Sequence, residues 1–239
     1  MQFWNYRARA TNTQIGQEEN SGYTFLEVYG EDGVDVSPEI VVPPRDKTVI
    51  RGTTSSELHC IANARPLHAL EIRWFKDGRP IDEIGVPFSF NDLWNRTLSL
   101  FQADFKHQGV YTCQARMTTG GPTLSKDATI IITEKPHFQK TMDISTLGEF
   151  GKAITVPCDV HGVPTPNVTW YRNGIPLSET PNLRFEVIKK ESDERGSLNS
   201  LHINFLRQED SGMFQCLADN EAGDIVGYTW LRVKTSSPV

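Results

Sequence analysis

The stretch Trp74-Phe75-Lys76-Asp77-Gly78-Arg79-Pro80-Ile81 recurs as Trp170-Tyr171-Arg172-Asn173-Gly174-Ile175-Pro176-Leu177. Each copy is an aromatic pair, a basic residue, Asp or Asn before Gly, any residue, Pro and an aliphatic. That order reads as a strand running straight into a turn, because Asp, Asn and Gly tolerate the turn backbone best. Each Trp also lies between two cysteines, Cys60 and Cys113 around the first, Cys158 and Cys216 around the second. Cysteines placed so, one on each of two sheets, bridge across a sandwich core on which the Trp packs. The expected fold class is all-β, with two such sandwiches in tandem.

The flanking residues support this reading. Leu58, Cys60 and Ala62 alternate with polar neighbours and share one face. Ile72 with Trp74, Leu98 with Leu100, and Tyr111 with Cys113 and Ala115 supply three further runs to the same core. Tyr111 stands two residues before the cysteine, where a tyrosine corner belongs, so a structural hydrogen bond is expected of it. In the second sandwich Ile154, Val156, Cys158 and Val160 face inward. So do Val168 and Trp170, Leu201 and Ile203, Phe214 and Cys216, and Leu231 and Val233. Asp210 precedes Cys216 by six residues, and Arg184 is read as lying in the strand that supplies its ionic partner. In the first sandwich the matching position is His107, and no arginine lies around Phe88 and Phe90. Phe214 replaces the corner Tyr, so each sandwich keeps one of two pins.

Residues 3–28 carry strand-like composition without a cysteine. Tyr23-Thr24-Phe25-Leu26-Glu27-Val28 parallels Tyr228-Thr229-Trp230-Leu231-Arg232-Val233, and residues 6–12 parallel residues 214–220, with Ala8 in the place of a cysteine. Residues 1–29 are therefore expected to be the last hairpin of a truncated third sandwich. A lone hairpin is marginal in water, so this one needs a neighbour to anchor it. An acidic, glycine-containing linker is expected over residues 30–37, then domains over 38–134 and 135–235, with a short junction around Pro136.

The 239 residues allow two domains of about 100 residues, each with its own core. A net charge of -6 leaves no basic face for nucleic acid. No apolar run is long enough to span a bilayer. The carboxylates of residues 31–35 lack calcium-loop spacing. Asp210-Ser211-Gly212 resembles the surroundings of a protease nucleophile but lacks the flanking glycines and any activating pair. Histidines 59, 68, 107, 137, 161 and 202 include no pair at the i, i+4 spacing of a helical zinc site, and the cysteines are tens of residues apart. No catalytic residue, metal or cofactor is expected.

Asn95-Arg96-Thr97 and Asn167-Val168-Thr169 are glycosylation sequons. Both are read as lying off the core, Asn95 in a turn and Asn167 pointing outward. The redox compartment is a fork. Outside the cell the bridges Cys60 to Cys113 and Cys158 to Cys216 would form, each stabilising by about 4 kcal/mol in the chain-entropy model. In cytosol the same cysteines would be small buried hydrophobes.

These domains resemble the intermediate-type immunoglobulin domains of neural adhesion receptors. Ile40-Val41-Val42-Pro43-Pro44, residues 58–66 and residues 209–220 resemble the third and fourth immunoglobulin domains of the sidekick family. The resemblance covers essentially the whole chain. It implies part of the ectodomain of a single-pass cell-surface protein that mediates homophilic adhesion at synapses and cell contacts. Its self-recognition would centre on the first two domains, and the first four would curl back on one another. The absent cysteine at Ala8 matches the family's second domain. The chain lacks most of those first domains, the fibronectin repeats and a span, so the piece alone is expected to be monomeric, with protein partners reached through the full ectodomain. Two other readings share the frame: a cytosolic muscle-type scaffold module and a ligand-binding receptor ectodomain.

Overall fold

The computed structural model describes residues 2–6, 9–12, 17–20, 24–28, 36–179, 181–193 and 195–235. Side chains are described over 37–179, 181–190 and 195–235. Ala8 and the carboxylates of residues 31–35 lie outside the described residues. By its contacts the chain divides into two units, Met1–Ile131 and Ile132–Val239.

In the first unit, Leu70–Lys76 pairs with Gly109–Met117, which pairs with the first half of Leu124–Lys140. The short strand Arg79–Pro80 extends this sheet through the turn. Facing it are Ser55–His59, Thr97–Phe101 and Phe88–Phe90, and Ile61–Arg65 with Val36–Val42. Alternation decides which side chains enter the core. Leu58, Cys60, Ala62, Ile72, Trp74, Leu98, Leu100, Tyr111, Cys113 and Ala115 are all buried, and so are Ala128 and Ile130 on a strand outside the four expected runs.

In the second unit, Asp159–Val163, Ile154–Val156, Gly196–Ile203 and Phe185–Asp193 form one sheet with the second half of Leu124–Lys140. The other comprises Ser145–Glu149, Gly223–Lys234, Gly212–Asn220, Asn167–Arg172 and Ile175–Pro176. Val156, Cys158, Val160, Trp170, Leu201, Ile203, Phe214, Cys216 and Leu231 form the buried core. Ile154, Val168 and Val233 pack on it half-buried.

The linker expected over 30–37 ends early, since Val36–Val42 is already strand. No junction loop surrounds Pro136 either. Leu124–Lys140 runs through it without a break, and Glu134 opposes Val163 while His137 opposes His161. The proline is tolerated because the ladder shifts register between Glu134 and His137, which removes the need for its missing N–H. Near the N-terminus, Gln2–Tyr6 pairs with Thr24–Val28 and Arg9–Asn12 with Gln17–Asn20. Tyr6 opposes Thr24, as Phe214 opposes Thr229 in the second unit. Among the described residues no helix is long and apolar enough to cross a membrane.

Candidate functional site

The repeated stretch folds as one local device in both units. Asp77 and Gly78 both have positive φ, at 49° and 79°, and so do Asn173 and Gly174, at 50° and 83°. Two positive φ values in succession make the hairpin turn whose twist matches its strands, which is why Asp-Gly and Asn-Gly stand there. The turn side chain then reaches a neighbouring strand. The Val110 N–H donates to Asp77 Oδ1 at 2.9 Å and the Met213 N–H to Asn173 Oδ1 at 2.9 Å. Room for that contact requires a glycine: a Cβ at Gly109 would lie 2.6 Å from the Asp77 carboxylate, and one at Gly212 2.8 Å from Asn173 Oδ1.

Next to these turns lie the bridges. Cys60 and Cys113 are joined across the first core and Cys158 and Cys216 across the second, each pair with Cα atoms 6.4 Å apart. Trp74 stands opposite Cys113 and Trp170 opposite Cys216 in the strand register. Each buried indole N–H finds a backbone carbonyl, that of Asn95 at 2.7 Å and that of Asn199 at 3.2 Å.

The two units diverge one turn before the second cysteine strand. In the second, Asp210 is fully buried at the end of the short helix Gln208–Asp210. Arg184 grips it with both guanidinium nitrogens, at 2.6 and 2.9 Å, and the Arg207 N–H donates to Oδ2 at 2.8 Å. Burial pushes the Asp210 carboxyl up, but the bonds from Arg184 and Arg207 outweigh it and hold the group below the ordinary carboxylate range. Arg184 does not lie in the expected strand. It sits in the turn one residue before Phe185–Asp193, where its guanidinium also donates to the Phe205 carbonyl at 3.0 Å.

In the first unit His107 ends the matching helix, Phe105–His107, and its Nδ1 accepts from the Asp104 N–H at 3.0 Å. The imidazole thus takes over the carboxylate's work as an acceptor without bringing a charge. Burial pushes its pKa down, which keeps it neutral. A neutral group needs no cation, and Pro87 stands where Arg184 would: its carbonyl receives the Phe101 N–H as that of Arg184 receives the Asn204 N–H. The Tyr111 hydroxyl donates to the His107 carbonyl at 2.8 Å, and burial pushes its pKa well up, so it remains a donor. Phe214, at the matching place, has no hydroxyl. Its ring meets Phe185 edge-on at 6.1 Å.

Asp210-Ser211-Gly212 is accounted for by this packing. Asp210 is in the ion pair, Ser211 Oγ accepts from the Val233 N–H at 3.2 Å, and Gly212 makes room for Asn173. Asn167 is exposed at the start of its strand, while Asn95 is half-buried with φ at 56°.

An exposed apolar row absent from the sequence reading lies on the outer face of the second unit. Along Gly223–Lys234, Leu231 faces the core, yet Val226, Tyr228 and Trp230 are 48%, 52% and 49% exposed. In the register they stand opposite Leu217, Gln215 and Met213, and Tyr171 lies opposite Gln215. An exposed row of aromatic and aliphatic side chains set among polar ones is the character of a protein contact face. Its signal in the sequence is the presence of large apolar residues at both parities of one strand.

A family model for the immunoglobulin domain matches residues 37–116 and 135–220. Over 235 residues the chain is 48% identical to protein sidekick of Drosophila melanogaster, and over 237 residues it is 32% identical to protein sidekick-1 of Mus musculus. Each alignment covers 98% of the chain and 10% of the relative, so the chain spans about a tenth of the length of these curated relatives. The solved structure of sidekick-1 immunoglobulin domains 1–4 matches with a TM-score of 0.72 at 32% identity, covering 96% of the chain and 58% of that chain. The chain belongs to the immunoglobulin domain family and, within it, is homologous to the sidekick proteins.

Proposed function

We propose that the chain is a non-enzymatic recognition module from the ectodomain of a sidekick-like homophilic adhesion receptor, on the extracellular side of the plasma membrane. The observation that carries this reading is the similarity to sidekick proteins along 98% of the chain. Two supporting features are the bridged cysteine pairs, which suit an oxidising compartment, and the exposed row Val226, Tyr228 and Trp230. Residues 38–134 and 135–235 act as the two domains, and residues 1–29 belong to a hairpin of a preceding one. Asn95 and Asn167 are the glycan acceptors, with Asn167 the more accessible.

In this reading the piece contributes protein contacts within the receptor and is a monomer alone. The test is aggregation of cells displaying the full-length parent, with Tyr228→Ala and Trp230→Ala introduced together. Cells with the natural parent should cluster with their own kind, and the double variant should cluster less at equal surface expression. A full-length parent that fails to cluster and captures a soluble ligand would instead make this a ligand-binding receptor. Sedimentation of the isolated chain should give a monomer.

A further inference from the structure

Residues opposed in an antiparallel register share a face, so the outward side chains of Asn167–Arg172, Gly212–Asn220 and Gly223–Lys234 line up in rows across three strands. Asn167, Asp219 and Asp224 make the first row, and Thr169, Leu217 and Val226 the second. Tyr171, Gln215 and Tyr228 make the third, and Met213 with Trp230 the fourth. Trp170, Phe214, Cys216 and Ala218, which alternate with them, are buried, and this places the rows on the outer side. The sequon residue Asn167 thus stands on the same face as Val226, Tyr228 and Trp230, at one end of it.

Strand geometry sets what a sugar attached there can reach. Successive rows are about 7 Å apart, and the strands of Leu217 and Val226 lie about 5 and 10 Å across the sheet from that of Asn167. Leu217 and Val226 are one row away and Tyr228 two, whereas Trp230 is three, roughly 20 Å along the sheet. Val226 and Tyr228 are 48% and 52% exposed, and Leu217 is half-buried. A pyranose carries C–H groups on its faces and hydroxyls around its rim, so a face can lie on aliphatic and aromatic side chains while the rim stays in water. In the first row Asp219 and Asp224, both exposed, are acceptors for the hydroxyl and N-acetyl N–H donors of such a sugar. Each of these contacts is weak, but the covalent tether makes them intramolecular and gives the sugar a high effective concentration over this face.

We propose that a glycan on Asn167 turns back over the outer face of the second unit. Its proximal N-acetylglucosamines cover Leu217 and Val226 as far as Tyr228, and the end of the face at Met213 and Trp230 stays open to protein. This rests on the reading of Asn167 as a glycan acceptor. The glycan then acts as a boundary: it shields the apolar surface nearest Asn167 and confines protein contact to the far rows.

The test is hydroxyl-radical footprinting of the chain secreted from animal cells, with peptide mapping for both glycan occupancy and oxidation. The same chain after enzymatic removal of its glycans, and the Asn167→Gln variant, which keeps the second sequon, are the comparisons. Circular dichroism shows that both remain folded. Mapping should find Asn167 occupied. Leu217, Val226 and Tyr228 should be oxidised about twofold more slowly in the glycosylated chain, as sugar atoms in contact remove about half of their exposed surface. Met213 and Trp230 should react equally in all three. The proposal is overturned by an unoccupied Asn167, by equal oxidation of Leu217, Val226 and Tyr228 with and without the glycan, or by protection that is as strong at Trp230. Because the footprint is read on the chain itself, a full-length parent that fails to cluster removes the adhesion reading and leaves this one standing.

Discussion

The two units solve one structural problem in two ways. Each must fix the short helix before its second cysteine strand to the sandwich. In the second unit a buried carboxylate accepts the Arg207 N–H and is neutralised by Arg184. In the first a buried imidazole accepts the Asp104 N–H with no charge to neutralise, and Tyr111 pins the helix carbonyl from above. The difference teaches that the aspartate and the arginine are replaced as a set. Once the acceptor is neutral, the arginine has nothing to pair with, and Pro87 fills its place.

The largest way to break this comparison is Asp210→Ala. It strands Arg184 beside an apolar core and should destabilise the second unit by about 3–5 kcal/mol. Denaturant titration with amide exchange resolved by unit would show slow exchange lost over residues 132–235 and kept over 36–131. An equal loss in both units would mean that the pair is not local to its own sandwich.

Importing the carboxylate alone is a smaller perturbation. His107→Asp keeps an acceptor for the Asp104 N–H but buries a charge that no arginine grips, which should cost the first unit about 1–3 kcal/mol. Adding Pro87→Arg should recover most of that loss. If the double variant is no more stable than the single, Pro87 and Arg184 are not equivalent positions.

Removing the corner hydroxyl comes next. Tyr111→Phe keeps the ring and leaves the His107 carbonyl short of one donor, an expected loss of about 1 kcal/mol in the denaturation midpoint of the first unit. Phe214 already lacks that hydroxyl, so no change to the second unit is expected.

The smallest effect is in pH, and its sign follows from linkage. The folded pKa of His107 is lowered, so its contribution is present above the ordinary histidine value of about 6.5 and lost as the pH falls below it. The folded pKa of Asp210 is also lowered, so its contribution is present above about 4 and lost only as the pH falls further, through the folded value. Between pH 7.5 and 5.5 the first unit should weaken while the second holds. His107→Gln should flatten the response of the first unit.

Much of this was legible in the residues. The Asp77-Gly78 and Asn173-Gly174 turns, the bridging cysteines and the Trp packing follow from side-chain chemistry at short range, so spacing alone exposes them. The exchange of Asp210 for His107 was visible as a pair of absences, but its reason was not, because the work of Nδ1 as an acceptor appears only once Asp104 is placed beside it. Three features needed the fold. Arg184 sits in a turn and reaches its partner from outside the strand. The strand Leu124–Lys140 runs through Pro136 because its register shifts there. The row Val226, Tyr228 and Trp230, and its place on one face with Asn167, are made by pairing between strands, which local periodicity does not reveal.

Both units rest on the claim that these are oxidised sandwiches, with Cys60 joined to Cys113 and Cys158 to Cys216. The most direct measurement is a thiol count on the purified chain, denatured without reductant. The account predicts that none of the four cysteines reacts until a reductant is added, and that peptide mapping recovers those two pairs. Four reactive thiols in the non-reduced chain would contradict it, and with it the extracellular assignment.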